Sequence, residues 1–269
     1  MSEPALLADR DGHVLTVTIN RPAKKNAVNA EVLCGLRDAW HRLDDEDDLR
    51  VAILTGAGGN FCAGMDLGVI AKLSSGAPPE NEFEERLKKD ASIIFDGWLK
   101  THRPTKPVIA AVEGFALAGG TEILQGTDIR VAGESAVFGV TEVQRALFPM
   151  AGSTVRLPRQ IPYTIAAEML LTGNDVSAAQ CLAFGLIGHV VPDGHALTLA
   201  REIADRIAAN GPLAVKAILE SMRESAGLPE KQAFDQVEMA IGIPVFRSED
   251  AREGPKAFLE KRKPVFTGR

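Results

Sequence analysis

The amino-acid sequence predicts a mixed α/β fold, with a sheet-rich core in its N-terminal part and helices in its C-terminal part. Residues 14–54 show a strand, a helix and a second strand in succession, which is the unit of a parallel sheet. After Pro149, apolar residues recur mostly at helical spacing, in segments separated by glycine or proline. The 269 residues suffice for one large domain, or for one domain with a helical appendage.

The first predicted strand, residues 14–19, alternates apolar and polar side chains and is ended by Asn20-Arg21-Pro22. From about Asn29 to Leu43 apolar residues recur at helical spacing, and Asn29 is a suitable N-cap. An acidic turn follows, and residues 51–54 then form an apolar run that predicts a buried strand.

A glycine-rich loop, residues 56–64, comes after this strand. It matches neither the dinucleotide-binding fingerprint nor the phosphate-binding loop, so both nucleotide interpretations are excluded. Small residues and proline at 74–79 predict a mobile surface loop. We expect one long helix at 82–100, and strands at 108–112, 129–132 and 136–138.

The C-terminal part is predicted to be helical, with one short strand at 187–191. The expected helices are residues 162–171, 177–184, 195–209, 212–225, 229–241 and 248–262. We therefore divide the chain into a sheet-rich core at 1–195 and a helical region at 196–269. No internal repeat is visible.

Composition and charge narrow the class of protein. The hydrophobic content of 45% and charged content of 25% are those of a globular protein. A net charge of −6 argues against a general nucleic-acid binder. No apolar run approaches the roughly 20 residues that span a bilayer. Because the N-terminus, Met1-Ser2-Glu3-Pro4, lacks the features of a signal peptide, we expect a cytoplasmic protein.

The cysteines and histidines give no sign of a metal site or a disulfide framework. The three cysteines are widely spaced, and the five histidines show no ligand spacing. We expect no metal ion. Cys62 has no activating base beside it in the sequence and is expected to be a buried structural thiol.

Two stretches share the order strand, glycine-rich turn, helix start. They are Phe61-Cys62-Ala63-Gly64-Met65-Asp66-Leu67 and Ala118-Gly119-Gly120-Thr121-Glu122. The first N–H groups of a helix lack internal partners and stabilise an anion, so each stretch can aim one N–H at a shared oxygen. Two such donors form an oxyanion hole, and Glu122 and Glu142 can supply acid and base around one water. This combination suits chemistry that passes through an enolate.

Each feature alone has a plainer explanation. Gly119-Gly120 fits equally well a tight turn where a helix packs on the sheet. A glutamate such as Glu122 or Glu142 is more often a surface or capping carboxylate.

The chain resembles the crotonase superfamily, the enoyl-CoA hydratase/isomerase group, over about residues 14–264. The resemblance rests on the order and spacing of several marks, which are Arg21-Pro22, Asn26-Ala27, Leu54-Thr55-Gly56, the two stretches above, Pro107 to Val112, Asp128-Ile129 and Glu260-Lys261-Arg262. It implies a spiral of strand–strand–helix turns at 1–195, which holds the CoA site and the oxyanion hole. It also implies a helical trimerisation region at 196–269 and assembly as trimers or dimers of trimers.

The resemblance also implies roles for particular residues. The oxyanion donors fall on the N–H groups of Met65 and Gly119, and the catalytic carboxylates on Glu122 and Glu142. Residues expected to bind substrate or CoA are Lys25, Ala63, Met65, Asp66, Leu67, Gly68, Gly119, Phe258 and Lys261, the last two from a neighbouring subunit. For Lys261 a solvated tail charge is an equally good interpretation. No separate cofactor is expected, because coenzyme A is part of the substrate.

The implied reaction is syn addition of water to a trans-2-enoyl-CoA, which gives a 3-hydroxyacyl-CoA. Two rivals use the same fold, namely double-bond isomerisation and carnitinyl-CoA-type dehydration. A rival of another class is a non-catalytic acyl-CoA-binding or RNA-binding protein. The acidic net charge and the glutamate pair argue against this rival.

The sequence departs from the family pattern near the expected acid. Ala118 stands where a third glycine is common, and alanine is expected to fit there. Ala146 and Met150 replace glycines around Leu147-Phe148-Pro149. We therefore expect an acyl group other than a short straight chain. Residues 116–128 and 185–194 also resemble actinobacterial hydratases that act on steroid side-chain enoyl-CoAs.

Overall fold

The computed structural model describes residues 3–269, without the side chains of Leu73 and Ser74. Met1 and Ser2, part of the N-terminal segment discussed above, lie outside the described residues. The strands are β1 (Leu6–Asp11), β2 (Val14–Ile19), β3 (Val51–Gly56), β4 (Val108–Val112), β5 (Phe115–Leu117), β6 (Ile129–Gly133), β7 (Val137–Gly139), β8 (Val176–Ser177) and β9 (His189–Val191).

The helices cluster in two parts of the chain. Those before residue 150 are α1 (Ala30–Asp45), α2 (Leu67–Ser75), α3 (Glu82–Lys89), α4 (Ser92–Gly97) and α5 (Gly119–Leu124). Those after it are α6 (Ser153–Gln160), α7 (Tyr163–Thr172), α8 (Ala178–Ala183), α9 (Ala196–Ala208), α10 (Pro212–Glu224), α11 (Glu230–Gln232), α12 (Met239–Val245) and α13 (Glu249–Leu259). Residues 3–269 also contain two 3₁₀ turns, Pro22–Lys24 and Thr141–Arg145, and one π turn, Ala233–Glu238.

The strands form two sheets. The larger has the order β1-β2-β3-β4-β6-β9, and the smaller has the order β5-β7-β8. In the larger sheet only the β1–β2 pair is antiparallel, so β2, β3, β4, β6 and β9 point the same way. Their carboxyl ends therefore lie at one edge, where ligands bind in sheets of this kind.

Both faces of the larger sheet are covered. One face packs on the main core, which includes Leu15, Leu54 and Trp40 of α1. The other face packs on α9 through small residues such as Ala200 and Ala204. The division at residue 195 stays a prediction, and the structure adds that α9, which begins at residue 196, lies directly on the sheet.

The predicted α/β class is confirmed, as are most of the strands and helices. The prediction of one helix at 82–100 was wrong. Asp90 adopts an extended conformation between α3 and α4, and its carboxylate accepts hydrogen bonds from the Ser92 N–H and hydroxyl. This local capping breaks the helix despite continuous helical periodicity.

Three further differences concern a helix end, an irregular helix and elements that were not predicted. Helix α2 continues to Ser75, so the loop expected from residue 74 begins at Gly76. The helix expected at 229–241 contains a π turn. Strands β1, β5 and β8 and helix α6 were not predicted. No helix of residues 3–269 has the length and apolar character that a membrane span needs.

Candidate active site

The loop after β3 is held by a buried asparagine. Asn26 donates through Nδ2 to the carbonyl of Ala57, at 2.8 Å, and to that of Asn60, and its Oδ1 accepts from the Arg21 N–H. Val28 then pairs with Met65 in an isolated parallel bridge, in which the Val28 N–H donates to Gly64 and the Asp66 N–H donates to Val28. In residues 3–269 the Met65 N–H itself has no acceptor.

The second loop connects β5 to α5. The Ala118 N–H donates to the Gly139 carbonyl at 2.7 Å, and Ala118 has φ of 51° and ψ of −124°. Glycine adopts this conformation more easily than alanine, so alanine fits here at a cost in backbone strain. The next residue, Gly119, begins α5, and its N–H likewise has no acceptor within the described chain.

The two loops touch each other where these free N–H groups lie. A Cβ atom added to Gly64 would lie 3.1 Å from the Gly119 nitrogen, and one added to Gly120 would lie 2.2 Å from the Cys62 carbonyl oxygen. Side chains at these glycines would push the loops apart. The structure thus brings together the two predicted oxyanion donors.

Both donors line one cavity of about 590 Å³. Its wall is mostly apolar, and its polar groups are few. The lining residues are Lys25, Ala63, Met65, Leu67, Ile70, Ile94, Phe95, Trp98, Leu117, Ala118, Gly119, Glu122, Thr141, Glu142, Arg145, Leu147, Phe148, Met150 and Ala151. Cavities of this kind are the usual ligand sites of globular proteins.

Glu122 projects into the cavity from the first turn of α5 and is 3% exposed. Its Oε1 accepts a hydrogen bond of 3.1 Å from the Ser153 N–H, the first residue of α6. Burial raises the pKa of Glu122, since a charged carboxylate loses its hydration there.

Glu142 lies in the 3₁₀ turn Thr141–Arg145 and lines the same cavity. Its Oε2 is buried and has no hydrogen-bond partner in the described part of the chain. Burial, and next the negative charge of Glu122, raise the pKa of Glu142 to about 7. Because the two carboxyl groups influence each other, the pair favours a state with one proton.

The other predicted binding residues lie in three places. Lys25, Ala63 and Leu67 line the cavity, and the Lys25 ammonium lies 4.5 Å from the centre of the Phe115 ring. Asp66 and Gly68 are beside it, where Asp66 caps α2, accepts from the Gly68 N–H at 3.0 Å and pairs with Arg21 at 3.1 Å.

Phe258 and Lys261 lie elsewhere. Phe258 is 83% exposed near the end of α13, Lys261 follows that helix, and neither lines the cavity within the single chain. Their roles, like those of all the predicted site residues, stay predictions.

Sequence reasoning missed much of the apolar wall. Ile94, Phe95 and Trp98 come from α4 and the residue after it, and only the fold brings them to the cavity. Trp98 is buried, and its ring faces Gly119. Cys62 is fully buried, and burial raises its pKa to about 12, so it is a neutral thiol at this site.

This arrangement combines two elements of catalysis. Two unengaged N–H groups can stabilise negative charge on one oxygen, and a carboxyl pair with raised pKa values can take and give a proton. A protein with such a site is suited to a reaction that passes through an enolate anion.

Comparison with known proteins identifies the family. A family model described as "Enoyl-CoA hydratase/isomerase" matches residues 9–269. The chain is 57% identical over 268 residues to "Enoyl-CoA hydratase EchA19" of Mycobacterium tuberculosis, covering 100% of this chain and 98% of that protein. It is 37% identical to a "Carnitinyl-CoA dehydratase" of Salmonella paratyphi A, covering all of both chains. The chain therefore belongs to the enoyl-CoA hydratase/isomerase family.

A solved structure agrees with this assignment. The crystal structure of enoyl-CoA hydratase EchA1 from Mycobacterium marinum matches with a TM-score of 0.88 and 45% identity, over 99% of this chain and 100% of that one. This likeness confirms the predicted crotonase-type fold.

Proposed function

We propose that this protein adds water across the double bond of a trans-2-enoyl-CoA to give a 3-hydroxyacyl-CoA. The observation that carries the proposal is the position of four groups on one cavity. Met65 and Gly119, whose N–H groups are free, line the same cavity as Glu122 and Glu142. The family membership and the hydratase names of its relatives support it.

The two N–H groups act on the thioester oxygen. When water attacks the β-carbon, electron density moves to that oxygen, and donors already aimed at it stabilise the charge without reorganisation. Loss of one such donor typically raises the barrier by roughly 3–4 kcal/mol.

The two carboxyl groups transfer the protons of the reaction. Glu122 orients the water and accepts its proton as the oxygen bonds to the β-carbon, and Glu142 gives its proton to the α-carbon. A pair that shares one proton has one carboxyl ready for each task. The raised pKa of Glu142 keeps it protonated up to about neutral pH.

Replacement of each carboxyl by an amide tests this assignment. We expect Glu122→Gln and Glu142→Gln each to lower the hydration rate of a 2-enoyl-CoA by about 100- to 10,000-fold, because each removes one proton-transfer step. Glu168→Gln, at an exposed position on α7, is the matched control and retains the wild-type rate. If only one of the two amide variants loses activity, isomerisation becomes the better explanation, since one carboxyl suffices for it.

The acyl group is proposed to be bulky and apolar. The cavity of about 590 Å³ is lined mainly by apolar side chains, and Leu147, Phe148 and Met150 extend that wall near Glu142. This supports the resemblance to hydratases of steroid side-chain enoyl-CoAs. A steroid-derived enoyl-CoA should react with a higher kcat/KM than crotonyl-CoA, and equal values would refute the proposal.

We also propose a cytoplasmic homo-oligomer, either a trimer or a dimer of trimers. Phe258 and Lys261 would then reach the CoA of a neighbouring subunit. The apolar exposure of the C-terminal helices supports this, since Phe246, Phe258 and Leu259 are each at least 80% exposed in the single chain.

A further inference from the structure

Arg145 shares its turn with Glu142. Both lie in the 3₁₀ segment Thr141–Arg145, three residues apart. Side chains at i and i+3 eclipse each other in a 3₁₀ helix, so these two side chains project in the same direction. Both line the cavity, which places a guanidinium and a carboxyl group on one patch of its wall.

The charge of Arg145 is not neutralised by any ion pair within residues 3–269. Its Nη1 donates only to the carbonyl of Thr141 in its own turn, at 3.4 Å. The other cation on the cavity wall, Lys25, lies over the Phe115 ring instead. Arg145 is thus an exposed cation whose nearest charged neighbour in the sequence is Glu142, and both residues line the cavity.

We propose that Arg145 is a positioning residue that makes Glu142, the proton donor of the carboxyl pair, a stronger acid. This rests on the proposed hydration. As the reaction proceeds, the proton leaves Glu142, the electron pair of the enolate forms the new C–H bond at the α-carbon, and a carboxylate remains on Glu142. A cation on the same turn and the same cavity wall stabilises that carboxylate through the charge interaction, which makes proton release easier.

The charges around Glu142 fit this role. Burial and Glu122, on α5, raise the pKa of Glu142, whereas a hydrogen bond from its own backbone N–H and, more weakly, the charge of Arg145 lower it. Arg156, on α6, acts on Glu122 and donates to the Leu99 carbonyl. Helix α7 packs against the turn, and its titratable residues, Tyr163 and Glu168, are exposed to solvent. Arg145 is therefore the cation that opposes the two influences holding the proton on Glu142.

The test compares Arg145→Gln, which removes the charge, with Arg145→Lys, which keeps it. Arg159→Gln is the matched control, because Arg159 is exposed, bonds only to the Val155 carbonyl of its own helix and does not line the cavity. One readout is the ¹³C NMR titration of the Glu142 carboxyl carbon in protein labelled at glutamate Cδ, with the signal assigned by its absence in Glu142→Gln. The other readout is the pH profile of kcat for hydration.

We expect Arg145→Gln to move the Glu142 titration midpoint and the alkaline limb of kcat to higher pH, and to lower kcat at neutral pH. Arg145→Lys and Arg159→Gln should keep both near the wild-type positions. An unchanged midpoint in Arg145→Gln would overturn the proposal, and so would an equal shift in Arg145→Lys, which would point to shape and not charge. The NMR titration needs no substrate, so an absence of hydration by the wild type would refute the proposed function separately.

Discussion

Gly119 shows how much of the site depends on a single missing side chain. A Cβ atom at this position would lie 2.7 Å from the Trp98 Cη2 atom, and Trp98 is itself buried. The close packing keeps the Gly119 N–H at the cavity wall. The donor role of Gly119 was predicted from the sequence. Its contact with Trp98 depends on the placement of α4 and could not be predicted.

Gly119→Ala is expected to lower the hydration rate by at least about 100-fold, because displacement of the ring or the loop moves one oxyanion donor. Steady-state kinetics would measure the loss. Gly242→Ala is the control, since its added Cβ meets no atom within 4 Å, and it should retain activity. Full activity in Gly119→Ala would show that the donor does not act where the structure places it.

The raised pKa of Glu142 also predicts a pH-dependent stability. Its pKa of about 7 in the folded state exceeds the ordinary value of 4.5. As pH rises between these values, the unfolded chain releases a proton that the folded protein retains, so the free energy of unfolding falls, by about 3 kcal/mol in all once the pH exceeds 7. Glu142→Gln mimics the protonated form and should therefore be more stable than the wild type at pH 8.

Thermal denaturation at pH 4.5 and pH 8 would check this prediction. We expect the Tm of Glu142→Gln to exceed that of the wild type at pH 8 and to match it at pH 4.5. The exposed control Glu168→Gln should show no such difference. An equal gain at both pH values would mean that ionisation of Glu142 is not the cause.

At the scale of elements, the 3₁₀ turn that carries Glu142 ends in an unfavourable conformation. Ala146, its C-cap, has φ of 53°, in the left-handed region that suits glycine. Ala146 replaces a glycine that is usual in the family, and its replacement contributed to the expectation of an unusual acyl group. The structure instead places it outside the cavity lining, where its consequence is backbone strain.

Ala146→Gly is expected to stabilise the protein by about 0.5–1 kcal/mol, since relief of the left-handed strain exceeds the added entropy of the unfolded chain. Chemical denaturation would measure it. Ala209→Gly, at a residue with φ of −77°, lacks this strain and should destabilise the protein. A loss of stability in Ala146→Gly would contradict the claim that the backbone of Ala146 is strained.

The pattern of apolar residues predicted elements well where burial extends over many residues, as on one face of α1 and on both faces of β4. Periodicity gave the wrong result where local hydrogen bonds determine the backbone conformation, as at Asp90 between α3 and α4. It also missed β5 and β8, because strands of two or three residues have no period to detect. The glycine-rich loops were recognisable because their chemistry lies in consecutive residues, whereas the apolar wall comes from several distant segments.

At the scale of the whole molecule, the C-terminal helices leave apolar side chains in solvent. We expect the protein to sediment with three or six times its chain mass of 28.7 kDa. Phe258→Asp should dissociate the assembly, because a charge would be buried at the proposed subunit contact. Phe258→Leu keeps the apolar surface and should remain assembled. Analytical ultracentrifugation distinguishes these outcomes, and a monomeric wild type would refute the oligomer.

The most direct test of the proposed hydration is mass spectrometry of a pool of 2-enoyl-CoAs, short, long and steroid-derived, incubated with the wild-type protein. We expect at least one member to gain one water, with the steroid-derived member fastest, and no gain with the Glu122→Gln, Glu142→Gln double variant. If every member binds and none gains water, the glutamate pair and the two free N–H groups do not perform hydration, and the proposed function is wrong.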